Sequence, residues 1–334
     1  MKSMETSFEG INPFAPHETS SYIHEYEKIE STDITNSAVQ RELFFRQDPR
    51  ILEAVSELAT KIKSCPSELE YEHNPPRALI VGGFARDALM GKHPKDADIE
   101  VYGISPNRLE SFLDQLYGDR VNKVGRAFGI FKVAIAEGVD LDISIPRRES
   151  KTGPRHTDFD VQGDPSMTVK EAARRRDFTF NALAVDPMTG EYIDEFGGIE
   201  DITTHTLRIT DAERFQDDAL RVLRGVQFTA RMHLQVDRDT FSLMSEMVAR
   251  GDLDILHQVE NQGRITEEWK KLLLKSDSPS AGFDLATRLG ILEKYYPELC
   301  AGNVGMQKGT GFEVMMQEVD RAAKILQSRG HVFT

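Results

Sequence analysis

The sequence predicts an α+β chain: a head built on a small mixed β-sheet with a few helices, followed by an all-α neck and body. Two changes of texture along the 334 residues predict it. Between about residues 75 and 205, short apolar runs at 78–81, 98–102, 129–135 and 139–145 are punctuated by glycine, the pattern of strands. After about 206, apolar residues recur at helical spacing almost throughout. A third observation bounds the size: with 39% hydrophobic residues, the chain can bury a substantial core in two or three structural units.

In chain order, residues 1–38 are polar and poor in large apolar side chains, so a mobile, disordered tail is expected. "SAVQRELFFRQDPRILEAVSELATKIKS" has helical spacing, which makes 39–74 an N-terminal helix closed by the loop "PSELEYEHNPP". The head spans 75–205. "DAERFQDDALRVLRGVQFTARM", "RDTFSLMSEMVAR" and "RITEEWKKLLLK" read as the helices of a neck over 206–280, and 281–334 as a short helical body. No internal repeat interrupts this order.

Composition narrows the function classes. No window has the apolar length of a membrane span, and the first residues lack the features of a secretory or organellar leader, so a cytoplasmic protein without a membrane partner is expected. Two cysteines, Cys65 and Cys300, support neither a disulfide framework nor a thiolate zinc site. The net charge of −14 opposes binding of nucleic acid by overall attraction. Arginine is nevertheless clustered in "PRRESKTGPRH", "EAARRRDF" and "DALRVLRG", so a basic stripe on an acidic body is conceivable.

The chemistry starts at "HPKDADIEVYG". In an extended segment, side chains at i and i+2 share a face, so Asp96 and Asp98 lie side by side and repel. A divalent cation resolves that repulsion, and hard oxygen ligands suit magnesium. Upstream, "ALIVGGFARDALMG" reads as a buried strand, a Gly82-Gly83 turn and a short helix carrying Arg86, where paired glycines admit a phosphate close to the backbone. The Gly-Lys-Ser/Thr ending of a Walker loop is absent, and no GxGxxG follows the strand. In "VDLDISIP", Asp140 and Asp142 share one strand face, and either is able to add a third carboxylate.

Three consecutive arginines in "ARRRDFTFNALAVDP" cannot all sit on one solvated face, so at least one is expected to point toward a partner. Arginine offers a planar fork suited to phosphate, and Asp177 an acceptor suited to a ribose hydroxyl. In "FQDDALRVLRG", read as one helix, Asp218 and Arg221 are neighbours three residues apart. A carboxylate beside a guanidinium pairs with the exocyclic amine and ring nitrogen of cytosine or adenine, and rejects uracil and guanine, whose edges reverse both partners. Arg224, one turn on, is placed to orient Asp218 or to meet a phosphate.

These motifs together resemble the class II tRNA nucleotidyltransferase (CCA-adding) and bacterial poly(A) polymerase family. The segments "VGGFARDALMGKHPKDADIEVYG", "VGRAFGIFKV", "LDISIPRRESKTG", "EAARRRDFTFNALAVDPMTGEYIDEFGGIED", "FQDDALRVLRGVQFTARM" and "GRITEEWKKLLL" follow the family's order over roughly residues 75–300. The resemblance implies a nucleotidyltransferase-fold head that adds C and A to the tRNA 3′ end from CTP and ATP, without a DNA partner. It implies that Asp96 and Asp98 hold two Mg2+ ions and that Asp142 is the position of a third catalytic carboxylate. Gly82, Gly83 and Arg86 fall near the triphosphate, Arg176 and Asp177 serve the ribose, and Asn181 is among the nucleotide-binding residues. Asp218 and Arg221 fall where the base is read, Arg224 is among the nucleotide-binding residues, and Arg264 and Glu268 give structural support. Gln227 stands where many members carry arginine, a change expected to loosen base selection. The C-terminal part looks like the beginning of an HD-type domain without its metal-binding histidines, so no phosphohydrolase activity is expected. Sister specificities, poly(A) addition or addition of only CC or only A, share these motifs, and a non-catalytic RNA-binding protein is the alternative of another class.

Overall fold

A computed structural model describes residues 33–66, 68, 71, 73–122, 129–151, 159–258, 262–300 and 311–328. The expected tail lies almost wholly outside the described residues, as do 124–128 of the "VGRAFGIFKV" segment and 152–156 of the first arginine cluster.

The N-terminal helical stretch is two helices, α1 (Ser37–Phe45) and α2 (Pro49–Lys63), where the spacing predicted one. Pro49 cannot continue a helix from the preceding turn but suits a first helical position, and Asp48 caps the new helix by accepting from the Arg50 N–H. Ile51, Val55, Leu58 and Ile62 form the buried stripe of α2.

The head is a seven-stranded mixed sheet in the order β3-β4-β5-β2-β1-β8-β9. Its long members are β1 (Arg77–Val81), β2 (Ala97–Tyr102), β4 (Ile130–Ala136) and β5 (Val139–Ser144), all within one residue of the apolar runs. The others, β3 (Val121–Asn122), β8 (Ala184–Val185) and β9 (Tyr192–Ile193), are two residues each and leave no periodicity to read. Between β5 and β8 a separate ladder pairs β6 (Arg147–Lys151) with β7 (Phe159–Gly163).

Alternation along β1 and β2 divides the core. Ala78, Ile80, Ala97, Ile99 and Val101 face the large core with α2 and α4 (Pro106–Tyr117), while α3 (Gly83–Leu89) joins β1 to the loop before β2. Leu79, Val81 and Tyr102 face a smaller core with Met167, Val169 and Ala172, the last two from α5 (Val169–Arg174). That second face also carries Asp98 and Glu100, so α5 ends beside the acids of β2.

Beyond the head, α6 (Gly198–Thr203) leads to a two-residue parallel pairing of β10 (Thr206–Leu207) with β11 (Gln235–Val236), a strand contact inside the stretch expected to be helical. The predicted long helix over 211–232 is broken into α7 (Ala212–Phe215) and α8 (Leu220–Met232). After α9 (Arg238–Arg250), α10 (Gln262–Lys275) and α11 (Pro279–Arg288) both pack on α8, and α12 (Ile291–Tyr295), α13 (Pro297–Cys300) and α14 (Gly311–Ser328) follow. Among the described residues no helix is long and apolar enough to cross a membrane.

Candidate active site

Where head meets neck, a cavity of about 390 Å³ is lined by Gly83, Arg86, Asp98, Arg175, Arg176, Asp177, Asn181, Asp218, Arg221 and Arg224. Five arginines face three aspartates there, so an acidic protein carries a locally cationic cleft suited to an anion. Nine of the ten lining residues are ones the sequence singled out. Arg175 is the tenth.

The glycine turn gives the cleft its floor. Gly82 has φ 72° and ψ −128°, a conformation that glycine tolerates and side-chain-bearing residues do not. A Cβ there would lie 2.5 Å from Arg176 Nη1 and 3.8 Å from Asp98 Oδ2, so the space of the missing side chain is taken by the guanidinium. One turn into α3, Arg86 is 7% exposed and donates through Nε and Nη2 to Asp87, each at 2.8 Å, and through Nη1 to Asn181 Oδ1. Burial pushes the Asp87 carboxyl up, but Arg86, Lys92 and Arg231 outweigh it and hold the group below the usual range.

On β2, Asp98 is opposite Val81 of β1 and in parallel register with Asp142 of β5. Desolvation in this pocket, with the like charges of Asp142, Glu100 and Asp96, pushes the Asp98 carboxyl up against the pull of Arg176. Asp96 is exposed just before the strand. Asp142 does not line the cavity: it shares its sheet face with Lys132 of β4, whose Nζ lies 3.9 Å from Asp142 and 3.1 Å from Asp140.

The arginine run divides as its spacing required. Arg174 pairs with Asp211 at the surface, whereas Arg175 and Arg176 turn inward. Their partner is Glu100, a residue the sequence reading passed over: it is 2% exposed, and Oε1 accepts from Arg175 Nη2 at 2.8 Å and from Arg176 Nη2 at 3.3 Å. Oε2 accepts the Tyr102 hydroxyl at 2.8 Å. The signal was present, since Asp98, Glu100 and Tyr102 alternate onto one face of β2. Burial raises the Glu100 carboxyl, but Arg176, Arg175 and Tyr102 together hold it below the usual range, while burial and Glu100 push the Tyr102 phenol well above its ordinary value.

Asp177 is a buried joint instead of an open acceptor. At 6% exposure, its Oδ1 accepts from the Phe178 N–H at 2.8 Å and Asn181 Nδ2 at 2.9 Å, and its Oδ2 from Arg224 Nε at 2.6 Å. Burial raises its carboxyl, and Arg224 with the Asn181 and Phe178 bonds pulls it below the usual range. Arg224 is therefore engaged by Asp177, and its bond is neither to Asp218 nor to an open phosphate position.

The break before α8 relocates Asp218. It precedes the helix, where Oδ1 accepts from the Leu220 N–H at 3.1 Å and Oδ2 from Arg264 Nη2 at 2.7 Å. Arg221 donates Nη1 to the Arg214 carbonyl and Nη2 to the Arg175 carbonyl, each at 2.6 Å. Both residues line the cavity, but Asp218's ion pair is with Arg264 of α10, so Arg264 holds a cleft residue directly, beyond general support. Glu268, also on α10, is buried and accepts from Lys271 at 2.7 Å. Gln227 is 1% exposed, accepts from Arg231 at 2.9 Å and does not line the cleft, which removes the basis for expecting it to loosen base selection.

Residues 78–208 match the family model of the poly(A) polymerase head domain. Over those residues the head is similar to the poly(A) polymerase head-domain family. A "Multifunctional CCA protein" of Nitrosococcus oceani is 34% identical over 220 residues, 66% of this chain and 50% of that protein. The chain spans about half the length of the curated relatives it matches. Among solved structures, a tRNA-processing enzyme with CTP is 26% identical with a TM-score of 0.59, covering 84% of this chain and 65% of that one. A CCA-adding enzyme in complex with ATP is 25% identical with a TM-score of 0.58, covering 75% and 54%.

Nucleotidyltransferases of this family generally use divalent metal ions, and the donor set here fits one. Asp96 and Asp98 offer hard carboxylate oxygens, and Asp98 carries an electrostatic load that a cation relieves. Among the described residues no group of three His, Cys, Asp or Glu converges to hold an ion, so the remaining positions would fall to water and substrate phosphate.

Proposed function

We propose that the protein is a template-independent nucleotidyltransferase that adds C and A residues to the 3′ end of tRNA from CTP and ATP. The observation that carries this reading is one cleft holding Asp98 and inward-facing arginines on the head side and the Asp218 and Arg221 pair on the neck side. A nucleoside triphosphate has the same two ends, a charged tail and a patterned base edge.

In the proposed reaction, the RNA 3′-hydroxyl attacks the α-phosphorus and pyrophosphate leaves. Arg175 and Arg176, fixed by Glu100, would neutralise the phosphates above the Gly82 turn. Two Mg2+ ions at Asp96 and Asp98, when bound, supply acidification of the attacking hydroxyl and charge stabilisation at the leaving oxygens. Asp177 and Asn181 hold Arg224 and Arg86 in place at the ribose end, which leaves the Asp142 carboxylate, facing Lys132, a peripheral part. At the other end, Asp218 accepts from the exocyclic amine of cytosine or adenine and Arg221 donates to the neighbouring ring nitrogen. Uracil and guanine meet an acceptor with an acceptor and are rejected. No covalent intermediate is needed, because positioning and charge stabilisation carry such transfers.

The test is incubation of the protein with tRNA ending at its discriminator base, magnesium, and labelled CTP and ATP separately and together, with products resolved to one nucleotide beside Asp96→Ala. Three additions that vanish in the variant are expected. Long A tails or arrest after CC would assign a sister activity, and tRNA binding without incorporation would assign a binding protein.

A further inference from the structure

Glu100 touches no reacting group in the proposed chemistry and enters it only as the anchor of two arginines, yet it is the most deeply buried carboxylate beside the cleft. It competes with Asp98 for one cation. The two acids sit two residues apart on the same face of β2, and Arg176 lies between them: its Nη2 is 3.3 Å from Glu100 Oε1, while its Nη1 occupies the side-chain space of Gly82, which Asp98 Oδ2 also borders. Among the described ion pairs Arg176 is bonded to Glu100, not to Asp98.

Charge and geometry explain this choice. Glu100 is locked, because Tyr102 donates to its second oxygen at 2.8 Å and Arg175 shares its first at 2.8 Å. Its dry environment strengthens the pair it makes, whereas Asp98, partly desolvated at the pocket but still reached by solvent, offers a weaker one. Without a fixed acid at 100, Asp98, which borders the same Gly82 space as Arg176 Nη1, is the carboxylate on that strand face left for Arg176. An arginine seated there would cover the oxygens needed for a divalent cation and would withdraw a positive charge from the phosphates.

Resting on the functional reading above, we infer that Glu100, oriented by Tyr102, is a positioning residue that retains Arg176 and thereby keeps Asp98 open for a divalent cation and the guanidinium open for phosphate. The role is separate from folding and from base selection. It therefore leaves a signature in metal affinity and in the common phosphate part of CTP and ATP.

The experiment measures Mn2+ binding and CTP binding calorimetrically for the wild-type protein, Glu100→Gln, Arg176→Gln and the double variant, with thermal unfolding of each. Glu100→Gln keeps the shape and the Tyr102 bond but releases Arg176. Its Mn2+ affinity is expected to fall roughly tenfold or more, as when a group orienting a metal ligand is removed. The KM for CTP and ATP should rise by the same factor with the preference between bases unchanged. In the double variant Mn2+ affinity should recover, since no guanidinium remains to seat on Asp98, and that recovery is something a merely structural acid cannot produce. Should Glu100→Gln fail to fold, Tyr102→Phe, which frees one Glu100 oxygen, should show the same loss in smaller degree and the same recovery with Arg176→Gln. Unchanged Mn2+ affinity in the folded single variant, or a loss that Arg176→Gln does not restore, overturns the inference. A wild-type protein that binds neither Mn2+ nor CTP overturns the functional reading and this inference with it.

Discussion

The head side and the neck side of the cleft use charge in opposite ways. On the head side, Glu100 and Asp177 are buried and each is held by several donors, so the groups they orient have little freedom. On the neck side, Asp218 and Arg221 are half-buried at the start of α8, and they bond to a backbone N–H, two carbonyls and Arg264. A rigid end suits a triphosphate, which is identical in every nucleotide. The adaptable end suits the proposed task of accepting two bases of different size. On the proposed function, binding strength and selection fall to different elements, a sheet face and a helix start.

Substitutions can break this contrast, and the largest effect is expected at the rigid end. Asp98→Ala should lower single-turnover incorporation on the order of 10³-fold, since a bound metal is worth several kcal/mol to the transition state, while tRNA binding by filter assay persists. Equal incorporation by the variant would remove Asp98 from the chemistry.

Next comes the joint between the two sides. Asp177→Asn leaves Arg224 without its buried charge partner and should destabilise the fold by about 3 kcal/mol in urea unfolding at neutral pH. The Asp177 carboxyl is held below its ordinary value when folded, so its contribution is present above the unfolded value of about 4 and is lost as pH falls through the folded one. The wild-type stability curve should accordingly drop on acidification in that window, and the curve of Asp177→Asn should be flatter there. Parallel curves would show that Asp177 carries no such linkage.

The adaptable end should respond in selectivity more than in rate. Asp218→Asn introduces a donor where only an acceptor stood and weakens the tie to Arg264, so the ratio of kcat/KM for CTP over UTP should fall roughly tenfold to a hundredfold. A variant that lost rate with all nucleotides equally would place Asp218 on the binding side of the contrast. The smallest effect is expected at the turn: Gly82→Ala places a Cβ at positive φ against Arg176, which should cost about 1–2 kcal/mol of stability and weaken CTP and ATP alike in equilibrium binding. Unaltered stability and affinity would show that the turn relaxes freely.

The outcome at particular residues shows what local pattern can carry. Strand alternation placed β1, β2, β4 and β5 because each has five or more residues with a buried face, whereas β3, β8, β9 and the β10–β11 pair are two residues long and owe their existence to partners remote in the chain. Asp98, Arg176, Asp177, Asn181, Asp218 and Arg221 were named from their motifs, and the cavity brings them together. Their partners were named wrongly or not at all: Arg224 meets Asp177, Asp218 meets Arg264 across 46 residues, and Arg176 meets Glu100 across 76.

Residue identity and short-range spacing therefore determined the α+β order of elements and the kinds of side chain in the cleft, because alternation, helical period and turn chemistry act over a few neighbouring residues. Tertiary structure alone decided which acid holds which arginine. A guanidinium is satisfied by any carboxylate within reach, and reach is set by the packing of α5 on β2 and of α10 on α8, neither of which is encoded at the position of the arginine itself.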